Sequence, residues 1–173
     1  MIVLKEKSMP TAHLICGSTG AGKTRYAMAL AERSEGVLLS MDEWMTVLFI
    51  PDRPHPPNLE WAIERTERCE RQMWAVARQI LARGIDVVLD WGLSRVLERD
   101  RVRTWVAQAA AESKLHYLDV GRDTRLRRVL ERNRDRSVAH AFELTEAMFD
   151  QIESWFEPPT EDELYGSMIV SED

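Results

Sequence analysis

Residues 17–24, Gly-Ser-Thr-Gly-Ala-Gly-Lys-Thr, match the spacing G-x-x-x-x-G-K-[ST] at each fixed position. In such a loop the glycines let backbone N–H groups close around phosphate oxygens, and the helix behind it contributes its positive end. Gly17, Ser18, Thr19, Gly20, Ala21 and Gly22 would form the cradle. Lys23 would reach the β- and γ-phosphates, and the Thr24 hydroxyl would take a Mg²⁺ position. The expected ligand is a nucleoside triphosphate with Mg²⁺.

Two carboxylates follow apolar runs that read as strands. Asp42 lies two residues beyond Gly36–Ser40. Across a strand-end crevice it could face the phosphate loop and take a proton from an attacking hydroxyl; it could also simply cap a helix starting at Glu43. Asp90 closes Ile85–Asp90, where an acidic residue holds Mg²⁺ directly or through water, orients an acceptor, or merely shapes the turn before Trp91-Gly92.

Arg125, Arg128, Arg132 and Arg136 repeat at helical spacing beside an apolar stripe of Leu126, Val129 and Leu130. Residues 122–136 hold seven arginines against three acids, in a chain whose net charge is −6. Guanidinium groups suit phosphate oxygens, so this segment is a candidate lid near 122–142, or else a solvated helix face. Two of the arginines are expected to touch nucleotide. Residues 45–57, apolar and then rich in proline, would wall an acceptor pocket with Trp44 and Trp61, or form a packed loop.

The elements that must carry these residues alternate. Strands are expected at 12–16, 36–40, 85–90, 115–120 and 165–170, and helices at 24–33, from Asn58 to about Arg83-Gly84, 96–111, from an Asp123 cap to about Arg136, and 145–156. Thr160 and Glu163 have capping-box spacing. This alternation predicts an α/β fold with a parallel sheet covered on both faces, and ligand beyond the carboxyl ends of its strands. The 173 residues, 45% of them hydrophobic, suffice for a single domain over 1–173. Cys16 and Cys69 suggest free thiols, and residues 1–7 do not read as a secretion signal, so a cytoplasmic protein with no membrane span is expected. His13, His55, His116 and His140 show no metal-ligand spacing with the cysteines. The negative net charge argues against a broad duplex-binding face.

Gly17–Thr24, Ser40–Met45, Val88–Asp90 and Arg128–Asn133 together resemble the P-loop kinases of the zeta-toxin, chloramphenicol phosphotransferase and polynucleotide kinase group, which are AAA-type ATP-binding proteins. Phe156–Glu163 resembles a C-terminal feature of the same group. The resemblance implies a three-layer P-loop NTPase fold, nucleoside-kinase-like, with a five-stranded parallel sheet. It implies ATP-dependent phosphorylation of a hydroxyl. Lys23 and Thr24 then serve as phosphate and Mg²⁺ ligands, Asp42 as general base, and Arg128 and Arg132 as lid arginines. Polynucleotide kinases carry D-x-x-R after the second strand, whereas this chain reads Asp42-Glu-Trp-Met45. A small-molecule acceptor is therefore expected ahead of a nucleic-acid end, with an ATP-binding switch lacking an acceptor as the third alternative. No N-K-x-D guanine motif occurs.

Overall fold

The computed structural model describes residues 9–56, 58–134 and 144–172. Five strands, β1 (Thr11–Cys16), β2 (Val37–Ser40), β3 (Val87–Asp90), β4 (Glu112–Val120) and β5 (Met168–Glu172), form one parallel sheet in the order β2-β3-β1-β4-β5. Between them run α1 (Lys23–Arg33), α2 (Met41–Leu48), a 3-10 turn (Ile50–Asp52), α3 (Leu59–Leu81), α4 (Val96–Gln108), α5 (Arg122–Arg134), α6 (Glu146–Glu153) and the short α7 (Glu161–Leu164).

Alternation along the strands sorts the core into two layers. Ala12, Leu14 and Cys16 of β1, with Val87 and Leu89 of β3, meet Met73, Ala77 and Leu81 of α3 and Val102 and Val106 of α4. Ile15, Val88 and Leu118 point the other way and meet Ala27, Leu30 and Ala31 of α1. Trp74 and Trp105 stack with centroids 5.7 Å apart and join α3 to α4. Parallel register pairs Ser40 with Asp90 and Cys16 with Tyr117, so the ends of β1, β2 and β3 open on one edge.

Several expected boundaries move for identifiable reasons. Ser40, whose hydroxyl accepts from the Glu43 N–H, caps α2, which leaves Asp42 inside the first turn and free of that duty. Asp123 is not a cap; it sits within the first turn of α5. β5 starts later than expected because Gly166, at φ 75°, turns the chain first. Asn58 caps α3, and Thr160 with Glu163 makes the capping box foreseen. The first eight residues, Pro57, residues 135–143, including Arg136, His140 and the last part of the expected lid, and Asp173 lie outside the described residues.

Two buried polar groups tie the layers together. His13 and His116 share a 2.9 Å hydrogen bond on the α1 face, and the Tyr26 hydroxyl lies 2.8 Å from the other His116 nitrogen. Burial, helped by His13 and Lys114, drives the His116 pKa down to about 4. On the opposite face Arg99 is fully buried and forms a two-pronged pair with Glu163, at 2.7 and 2.9 Å. Burial alone would raise the Glu163 pKa; hydrogen bonds from Arg99 and the Thr160 N–H, with attraction to Arg99 and Arg103, outweigh it and hold the carboxyl at about 2.

Both groups titrate lower in the folded chain than in the unfolded one, so the unfolded chain takes up protons first and acid destabilises the fold. The His116 contribution should be lost between its ordinary 6.5 and about 4. The Glu163 contribution should be lost between 4.5 and about 2. Urea midpoints measured against pH should show both losses. Glu163→Gln should remove the lower one and cost about 3 kcal/mol near neutral pH, because it leaves a buried guanidinium without its counter-charge. A neutral substitution would mean that water reaches Arg99.

Candidate active site

The loop between β1 and α1 bends through Gly20, at φ 81°, and Gly22, at φ 89°. A Cβ on Gly20 would stand 2.5 Å from the Arg125 carbonyl oxygen, so the loop lies directly on the first turns of α5. Gly22 is the residue before α1, and its left-handed conformation aims the helix N-terminus into a cavity of about 630 Å³. That cavity is lined from three directions. The loop and α1 bring Thr19, Gly20, Gly22, Lys23, Thr24 and Arg25; the α2 side brings Asp42, Met45, Thr46 and Ile50; α5 and its neighbour bring Arg128, Val129, Arg132 and Leu144. Asp90 and Gly92, at the end of β3, form its floor.

Within this cavity the Lys23 ammonium donates to the Ser18 carbonyl at 3.0 Å. The Thr24 hydroxyl donates to Asp90 Oδ2 at 2.8 Å. Asp90 is 6% exposed, and burial pushes its pKa up, with the Thr24 hydroxyl and Lys23 pulling it back. Burial pushes the Lys23 pKa down, while Asp90 and Asp42 favour its charge. The three groups therefore depend on one another in a poorly solvated spot, and added negative charge from a ligand would relieve Lys23. Asp42, Met45 and Thr46 stand at i, i+3 and i+4 on one face of α2, which turns the carboxylate toward the lysine.

The arginine stripe divides. Arg128 and Arg132 line the cavity, and Arg128 Nη1 lies 3.9 Å from where a Gly22 Cβ would stand. Arg125 belongs to the interior instead. It is buried, donates to the Val120 carbonyl at 2.7 Å, and pairs with Glu153 of α6. Arg127 is exposed and does not line this cavity. Below them Asn133 exchanges hydrogen bonds with the backbone of Leu144, at 2.7 and 3.3 Å.

Other expected residues fall elsewhere. Ser18 and Ala21 are buried behind the loop rather than facing the cavity, and Gly17 also does not line it. Trp44 packs on the core and Trp61 lies against Arg65, with a guanidinium-to-ring distance of 5.0 Å, so the wall is Met45, Thr46 and Ile50 rather than tryptophan. The cavity also takes in Arg25, whose one signal in the sequence is its place directly after Thr24. Glu153 also reaches the loop, and nothing in its local sequence marks it.

Mg²⁺ fits the donor chemistry present. The Thr24 hydroxyl and Asp90 carboxylate are adjacent hard oxygen donors beside the loop. Among the described residues no cluster of three or more His, Cys, Asp or Glu could hold a metal ion, so phosphate oxygens and water would complete such a site.

A glycine loop at the central strand, an acid ending the neighbouring strand and cationic side chains over the loop define a P-loop kinase-like domain. The chain belongs to the AAA domain family AAA_33, whose model matches residues 13–159. A candidate kinase from Chloroflexus aurantiacus j-10-fl shares the fold at a TM-score of 0.73 and 19% identity, over 95% of this chain and 89% of that one. Mycobacterium tuberculosis APS kinase CysC, solved with AMPPNP and APS, gives 0.64 and 18%, over 95% and 90%. A chain of the Pnkp1/Rnl/Hen1 RNA repair complex gives 0.67 and 14%, over 85% of this chain and 44% of that one. No curated protein matches the sequence. Among the described residues no helix is long and apolar enough to cross a membrane.

Arg128→Ala and Arg132→Ala should each weaken ATP binding about tenfold, a loss typical of one hydrogen bond to a charged group. Arg127→Ala should leave it unchanged, and Arg125→Ala should lower the unfolding midpoint. Calorimetric titration alongside thermal denaturation separates these outcomes. Equal affinity losses from all three cavity-side and exposed variants would mean that bulk charge, rather than position, governs binding.

Proposed function

We propose that this protein is an ATP-dependent phosphotransferase that passes the γ-phosphoryl group to a hydroxyl of a small molecule. The observation that carries this reading is the convergence of Asp42 with Lys23, Thr24, Asp90, Arg128 and Arg132 on one cavity. A nucleotide-binding switch without an acceptor would need the loop but not a carboxylate from α2 opposite it. The APS kinase of like fold was solved with AMPPNP and APS, which favours a nucleotide and a small-molecule ligand together on this fold.

In this mechanism the loop N–H groups and Lys23 hold the β- and γ-phosphates, with the triphosphate lying between the loop and α5. Mg²⁺, held by Thr24 and Asp90, would neutralise phosphate charge. The acceptor hydroxyl enters from the α2 side. Its oxygen attacks the γ-phosphorus in line, Asp42 takes its proton, and the bond to the β,γ-bridging oxygen breaks to release ADP. Lys23, Arg128 and Arg132 stabilise the charge that spreads over the transferring oxygens.

A polynucleotide end is the second reading, favoured by the fold shared with a chain of the RNA repair complex. Met45 argues against it, because it lines the cavity one helical turn from Asp42 where D-x-x-R would offer a guanidinium to an acceptor phosphate. Methionine provides no such contact.

Mg-ATP at a hundredfold excess over its Kd should stabilise the fold by about 2.7 kcal/mol, and Lys23→Ala should abolish most of that gain without unfolding the protein. Asp42→Asn should retain ATP binding yet slow transfer by about 10²–10⁴, since asparagine orients a hydroxyl but cannot take its proton. Transfer of labelled γ-phosphate to nucleosides, sugars and amino alcohols, compared with 5′-hydroxyl oligonucleotides, tests the acceptor. Efficient oligonucleotide labelling would reverse the choice, and ATP binding without any acceptor would favour the switch.

A further inference from the structure

The cavity does not account for one charged group close to the loop. Glu153, the last residue of α6, reaches back to the phosphate loop from a helix that follows α5 in the chain. Its Oε2 accepts from the Ser18 hydroxyl at 2.7 Å, and its Oε1 from Arg125 Nη2 at 2.7 Å. Arg125 Nη1 also donates to Oε2 and, at 3.4 Å, to the Thr19 carbonyl. The guanidinium lies 5.5 Å from the Phe149 ring centroid, so α6 grips it twice. Ser18 is 7% exposed and Arg125 6%. Hydrogen bonding to Arg125 chiefly, then to Ser18, holds the Glu153 carboxyl below the usual carboxylate range against the opposing effect of burial.

We infer that Glu153 is a positioning residue for nucleotide binding, fixing the phosphate loop in its ligand-ready shape through Ser18 and Arg125. The inference rests on the reading of the cavity as a nucleotide site. A cradle of N–H groups binds phosphate well only if its backbone is already in place, because any ordering left to the moment of binding reduces affinity. Ser18 and Thr19 are the two loop residues between Gly17 and Gly20, and both are tethered to this one ion pair. The loop is thus anchored from behind, on the side away from the ligand, by residues that touch no phosphate themselves.

Charge and position make opposite forecasts, which renders the inference decidable. If Glu153 acted only through its field, removing its negative charge beside an anion site would tighten ATP binding. If it positions the loop, the same change loosens binding despite the charge removed. Ser18→Ala isolates the tether, since it leaves the Glu153–Arg125 pair intact and removes one hydroxyl.

The experiment is calorimetric titration of full-length wild type, Ser18→Ala, Glu153→Gln and the double variant with Mg-ATP. Each single variant should raise Kd about tenfold, and the double variant should be little worse than the weaker single, because both changes break one connection. A purely structural Glu153 would shift the unfolding midpoint and leave the Kd of Ser18→Ala at the wild-type value; that result overturns the inference. Tighter binding by Glu153→Gln, or fully additive losses, overturns it too. If Glu153→Gln does not fold, Ser18→Ala alone decides. Wild-type protein that binds no nucleotide would defeat the functional reading itself and this inference with it, whereas normal wild-type binding with an unaffected Ser18→Ala defeats the inference alone.

Discussion

A guanidinium group shut away from water must find an acceptor for each of its five N–H bonds, and the Arg99 side chain does so with groups drawn from distant parts of the chain. Nε and Nη2 meet the two Glu163 oxygens, Nη1 meets the Leu93 carbonyl at 3.2 Å and the Cys16 sulfur at 3.7 Å, and Nη2 meets the Pro158 carbonyl at 3.5 Å. Cys16 ends the strand that launches the phosphate loop. Leu93 follows the strand that ends in Asp90. Pro158 and Glu163 belong to the C-terminal segment, which also braces the connection between β3 and α4 through the Glu157 N–H on the Ser94 carbonyl and the Glu157 carboxylate on the Val96 N–H. Alignment of the phosphate loop with Asp90 therefore rests on a buried charge whose counter-charge arrives late in the sequence.

The same logic operates on a smaller scale at the cavity. Lys23, Asp90 and Asp42 sit where burial opposes charge on the first two; attraction between Lys23 and the two carboxylates offsets only part of that penalty, and Asp42 adds repulsion at Asp90. Arg125 and Glu153 repeat the arrangement behind the loop. Polar groups thus lie in layers: an outer set facing the cavity and an inner set holding the backbone from which the outer set projects. Apolar packing supports both, with α3 and α4 on one face of the sheet and α1 on the other.

Much of this frame was legible in the sequence because its signals are local. The glycine loop, the apolar runs closing on Ser40 and Asp90, the start of the long helix at Asn58 and the Thr160–Glu163 box each depend on neighbours within a few residues. The parts that were not legible depend on partners far along the chain. Helical spacing put Arg125 on a stripe with Arg128 and Arg132, yet a period cannot tell which arginine meets Glu153 and which meets the cavity. Trp44 and Trp61 were plausible pocket walls by composition, but large aromatic rings gain more by packing against the core and Arg65 than by lining an open polar cleft. Asp42 and Ser40 both suit a helix start, and only the backbone geometry shows that Ser40 takes the cap and leaves the carboxylate available.

Gly20 occupies one of the variable positions of the loop motif, where the spacing rule allows any residue. In this chain that freedom is gone, since a Cβ there would stand 2.5 Å from the Arg125 carbonyl, a backbone atom that cannot swing aside. Phosphate loops are consequently not interchangeable parts. A loop transplanted from another nucleotide-binding protein, matching the motif at every required position but carrying a side chain at this one, would wedge α5 outward and carry Arg128 and Arg132 away with it. For protein engineers the exchangeable unit is larger than the motif: it comprises the loop and the helix on which it rests.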